Sequence, residues 1–155
     1  MSSFYRELYT RPLRNILDAS EEEILDTMAE LEGLRHRYPK YKGFVAMSVG
    51  STLNLCYFNY NGEWVYYTDI KVTGTGDGYL SREKSCDAMR SYLVIRYPEC
   101  VYSAKRCTLD KDLNIIISSV TGVCSGDDAC LIQRMCNDLQ GKPIWLNRVK
   151  HKRNT

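Results

Sequence analysis

The chain has 155 residues, with 26% charged and 44% apolar side chains and a formal net charge of +2. That length suits one domain whose core needs no staples, and the balance favours neither a disordered nor a membrane class. Lys and Arg are spread along the chain, so overall electrostatics gives no pull toward nucleic acid, apart from a short basic tail over 148–155.

No apolar run approaches the ~18 residues of a membrane helix, and the N-terminal stretch lacks the apolar centre of a signal peptide. The expectation is a single globular domain over 1–155, soluble and cytoplasmic, with no membrane partner. Seven cysteines are odd in number, contain no C-x-x-C and accompany only two histidines. They read as buried thiols, with no metal site and no cofactor.

Phe4, Leu8 and Tyr9, then Leu13, Ile16 and Leu17, have helical spacing. Ser20 with Glu23 forms a capping box ahead of Ile24, Leu25, Met28 and Leu31, and the helix should end around Gly33 to Arg37 because Tyr38 precedes Pro39. The period then turns strand-like through Phe44–Val49 and Leu53–Asn59. Asn61-Gly62 is a hairpin signal leading into a long strand from Glu63 to Val72. Within that strand Trp64, Tyr66, Thr68, Ile70 and Val72 alternate with Val65, Tyr67, Asp69 and Lys71.

Gly74, Gly76 and Gly78 form a turn, after which Ser81 caps a helix over 81–97 with Ser85, Met89, Tyr92 and Leu93 on one face. A second hairpin runs through Val101–Lys105 and Leu113–Val120, and a last helix starts at Ser125 with Asp128 and stops at Gly141 and Pro143. Val72-Thr73-Gly74 and Val120-Thr121-Gly122 give the two halves a common signature. The predicted class is α+β: an antiparallel sheet of about five strands with helices packed on one face, in the order αα-βββ-α-ββ-α.

Nothing in the sequence spells a catalytic motif. His36 and His151 stand outside any nucleophile–base pattern, and no H-E-x-x-H or P-loop lysine occurs. Gly74-Thr75-Gly76-Asp77-Gly78 has the wrong spacing for a phosphate loop. Tyr57, Tyr60, Tyr66 and Tyr67 could offer an aromatic surface to a partner, or pack a core as sheet residues commonly do.

Residues 12–97 resemble a double-stranded-RNA-binding domain in their α-β-β-β-α order, in Pro39 and Tyr41 leading to the first strand, and in a helix start at Gly78-Tyr79-Leu80-Ser81-Arg82-Glu83-Lys84-Ser85. They depart from it at Glu83 and Cys86, where basic residues are expected, and at Gly50-Ser51-Thr52. The resemblance implies phosphate contacts from Arg82 and Lys84, joined by Arg148, Lys150, Lys152 and Arg153 of the tail. The expectation is therefore a small non-enzymatic binding protein with RNA as partner. The alternative is a protein-interaction module or inhibitor using the tyrosine-rich sheet or a strand edge. A third reading is an enzyme or ligand binder with a pocket between sheet and helices. The sequence fixes no oligomeric state.

Overall fold

The computed structural model describes residues 12–84, 91–144 and 148–149. Helix α1 spans Glu21–Arg37. The Ser20 side chain accepts the Glu23 N–H at 3.2 Å, Glu21 to Glu23 face the positive end of the helix dipole, and Arg35, His36 and Arg37 occupy the last turn. The Glu23 carboxylate does not close the capping box; it pairs with Arg14 instead. Ahead of α1 the sequence reading placed two helical pieces. The first lies outside the described residues, and the second is only a 3-10 turn at Ile16–Asp18, capped by Asn15.

Seven strands follow: β1 Gly43–Val45, β2 Cys56–Tyr60, β3 Glu63–Thr75, β4 Tyr79–Lys84, β5 Ser91–Arg96, β6 Glu99–Leu109 and β7 Ile115–Ser125. Five of them form one antiparallel sheet in the order β1-β2-β3-β6-β7, while β4 and β5 make a separate hairpin. Helix α2, Gly126–Leu139, closes the order. The α+β class and the five-stranded antiparallel sheet are as the sequence predicts. The turn at Asn61-Gly62 adopts the two positive φ values, 52° and 84°, that a tight hairpin demands.

The helix expected over 81–97 is not formed by the described residues of that range. Its described parts are β4 and β5, paired from Tyr79↔Arg96 to Lys84↔Ser91. Apolar spacing competed here with β-propensity, and Tyr92-Leu93-Val94-Ile95 is a run of aromatic and branched residues suited to a pleated surface. The capping role given to Ser81 disappears with the helix, while Ser85 and Met89 lie outside the described residues.

The two helices pack on opposite faces of the sheet, not on one. Ile24, Met28, Leu31 and Leu34 of α1 meet Phe44, Leu55 and Tyr57, with Trp64 and Tyr66 packed alongside. Ala129, Ile132, Met135, Cys136 and Leu139 of α2 meet Cys56, Phe58, Val65, Tyr67 and Ile70. Alternation along β2 already sends Tyr57 to α1 and Cys56 and Phe58 to α2, and a β-bulge in β3, where the register against β6 shifts between Thr68 and Lys71 and Asp69 takes a φ of 55°, changes which residues of that strand face α2. Before the bulge odd-numbered residues face α2; beyond it Ile70 and Val72 do.

Candidate functional site

The hairpin β4–β5 is fastened to α2 by polar contacts. Arg96 is only 1% exposed and donates from Nε to Glu83 Oε2 at 2.8 Å and from Nη2 to Glu83 Oε1 at 2.7 Å. The Cys130 thiol donates to the same Glu83 Oε2 at 3.2 Å. Arg134 Nη2 donates to the Lys84 carbonyl at 2.7 Å. Gln133 holds the exit of β5: its amide oxygen accepts the Tyr97 N–H at 2.9 Å, and its amide nitrogen donates to the carbonyls of Tyr97 and Ala129, both at 2.9 Å.

These contacts bound a cleft of about 530 Å³ between the end of β3, the end of β5 and α2. Val72, Ile95 and Tyr97 give it apolar walls, while Gln133, Asn137 and Gln140 present amides along one helix face. Such a mixture of apolar walls and a few fixed polar groups suits an extended organic ligand. Gly74 is required here, because a Cβ on it would collide with the Tyr97 ring. The matching glycine of the second V-T-G, Gly122, lies under Tyr102, where a Cβ would stand 2.7 Å from the phenol oxygen. The repeated signature therefore marks two places where a tyrosine ring covers a bare strand residue.

Burial and charge shift the acids behind the cleft wall in opposite directions. Burial alone would raise the Glu83 carboxyl, but the hydrogen bonds and charge of Arg96 hold it below its ordinary value. Asp138, on α2 and 8% exposed, is pushed up to about 7 by burial, against the pull of Arg134 and Arg96 and with a further push from Glu83. A carboxyl poised near neutrality beside a charged cluster is a recognised mark of a functional region.

The residues singled out by the sequence do not form a site together. Arg82 and Lys84 are exposed, but they stand on strand β4 and not at the start of a helix. Arg148 is exposed and borders the cleft, whereas Lys150, Lys152 and Arg153 lie outside the described residues. Tyr57 and Tyr67 are buried, Tyr60 and Tyr66 half-buried. They divide between the faces: Tyr57 stacks on Tyr66 at 4.2 Å on the α1 side, and Tyr60 and Tyr67 meet Tyr102 on the α2 side. Alternation along β2 and β3 forbids one common aromatic surface. Arg96, Glu83, Gln133 and Asp138 were missed; a charge within Leu93-Val94-Ile95-Arg96 was the available signal.

Among the described residues no helix is long and apolar enough to cross a membrane, and no group of three or more His, Cys, Asp or Glu could hold a metal ion. No family model and no curated protein matches the sequence. Solved structures do match the fold. A peptide deformylase from Synechococcus elongatus in complex with actinonin superposes with a TM-score of 0.73 at 16% identity, over 93% of this chain and 75% of that one. The Plasmodium falciparum peptide deformylase complex with inhibitor gives 0.70 at 12% identity, over 92% and 84%. The Thermotoga maritima peptide deformylase gives 0.66 at 14% identity, over 93% and 92%.

These matches overturn the resemblance to a double-stranded-RNA-binding domain, and with it the non-enzymatic RNA- or protein-binding role and the RNA and protein partners expected from the sequence. The physical reason is the hairpin at 79–96: the helix start that was to grip phosphates does not exist. The architecture of this chain is the one seen in peptide deformylases.

Proposed function

We propose that this protein is a peptide-acting enzyme that takes an extended peptide in the cleft between β3, β5 and α2. The observation that carries this reading is the cleft itself, with apolar walls and an amide-lined helix face, in a fold whose solved neighbours are peptide deformylases held with inhibitors. Val72, Ile95 and Tyr97 would take apolar side chains of the peptide. The Asn137 and Gln140 amides, which can both donate and accept, would meet its backbone.

Enzymes of this fold work with a metal. The residues present do not fit one. A resident metal needs thiolate, imidazole or carboxylate donors converging at about 2.0–2.3 Å. No such group of three exists among the described residues, and α2 turns toward the β4–β5 hairpin a cation, Arg134, and an amide, Gln133, already committed to backbone partners. No step is therefore assigned to a metal.

The test is a titration with short apolar peptides carrying a formylated or a free N-terminus, followed by intrinsic fluorescence and by formate release. Saturable binding that weakens about tenfold or more in Asn137→Trp, a cleft-filling change costing at least about 1.4 kcal/mol, is expected. Formate release from the formylated peptide alone is the expected turnover. Protein that neither binds nor converts any peptide would remove the reading.

A further inference from the structure

We propose that Cys100 and Cys124 form an oxidisable dithiol, which exchange with a low-molecular-weight disulfide converts into an intrachain disulfide beneath α2. The two residues are direct partners across β6 and β7, and their sulfurs stand 3.1 Å apart, in contact and aimed at each other. The backbone has the matching geometry. The Gly126 N–H bonds to the Pro98 carbonyl, so two positions further along the same ladder Cys100 and Cys124 occupy a hydrogen-bonded pair, with Cα atoms about 5.5 Å apart. Disulfides most often span about that separation, so closing this one needs rotation about the two side chains and no movement of the strands.

Cys100 is fully buried, and Cys124, 8% exposed, lies on the edge strand. Cys124 is the one that meets the reagent. Its thiolate attacks one sulfur of oxidised glutathione, forming a mixed disulfide and releasing one glutathione thiolate. The Cys100 thiolate then attacks the Cys124 sulfur and displaces the second. Two protein thiols are oxidised, one glutathione disulfide is reduced, and the two protons pass to the departing thiols. Burial raises both thiols, Cys124 to about 12, so the exchange is slow at neutral pH and rises about tenfold per pH unit.

The folded full-length protein, treated with oxidised glutathione at pH 8, alkylated and digested without reduction, provides the test. The expected product is a peptide pair joined through Cys100 and Cys124, lighter by two hydrogen atoms and released by dithiothreitol. Cys107, buried under α1 and raised to about 11 by that burial, should remain unmodified and so reports that the fold stayed closed. Cys130, half-buried, should carry a single glutathione. Cys124→Ala should abolish the cross-link. Recovery of Cys100 and Cys124 as alkylated thiols while Cys130 is glutathionylated overturns the proposal. So does a cross-link that appears only together with modification of Cys107.

Discussion

Arg96 and Glu83 meet as a bidentate ion pair sealed from water, with side chains 1% and 9% exposed. Arg96 borders the large cleft, and Glu83 borders a second hollow of about 360 Å³ on the other side of α2. The pair is thus the partition between two cavities as well as the clamp on the β4–β5 hairpin. Glu83→Gln strips the charge opposite a buried guanidinium and should cost about 3–5 kcal/mol, whereas Glu83→Met with Arg96→Met together should cost far less. Urea melts of the single and double variants check this. Equal losses in both would show that the charges are not coupled.

Asp138 should make stability depend on pH. Its folded value of about 7 lies above the unfolded value near 4, so the folded state binds the proton more tightly. Below about pH 4 both states are protonated and the group has no effect. Between about 4 and 7 stability falls as pH rises, by up to about 4 kcal/mol, and levels off above 7. Asp138→Asn should flatten that slope, which chemical denaturation at several pH values would measure. An unchanged slope would place the titration elsewhere.

Gly74→Val should expel the Tyr97 ring from its seat and cost about 1–3 kcal/mol, with peptide affinity reduced in step. Gly33 is the control. Among the described residues nothing stands within 4 Å of a Cβ added there, in the interior of α1, so Gly33→Ala should stabilise by about 0.8–1.0 kcal/mol. If Gly74→Val melted like the parent chain, the tyrosine would not be resting on that glycine.

Elemental analysis of purified protein should find no stoichiometric zinc, iron or nickel, and a chelator should leave the melting temperature unchanged. This follows from the donor set among the described residues, in which α2 offers the β4–β5 hairpin the Gln133 amide and the Arg134 guanidinium. One bound metal per chain would contradict it.

Much of the architecture was readable because it rests on local chemistry. Ser20 caps α1, Asn61-Gly62 turns β2 into β3, and two alternating segments make β6 and β7. Residues 81–97 were misread because helical spacing of Tyr92 and Leu93 can coexist with a pleated run, and only pairing with β4 decides between them. The cleft was hidden for a related reason. Arg96 and Glu83 are separated by 13 residues and face one another only once the hairpin folds. Likewise, Trp64, Tyr66, Ile70 and Val72 look like one apolar face. The bulge assigns the first two to α1 and the last two to α2.

The extra residue in β3 has its own support. The Asp69 N–H bonds to Asn54 Oδ1 at 3.1 Å, and the Thr68 hydroxyl donates to the Asn54 carbonyl. Because Asp69 is supernumerary against β6, excising it would leave Val65, Tyr67, Ile70 and Val72 all on their present sides in an uninterrupted ladder. Excising Thr73 instead would turn Gly74 outward and carry Thr75 under the tyrosine. The strand is therefore tolerant of shortening at one address and intolerant at its neighbours, an asymmetry that natural insertions and deletions in β3 would have to respect.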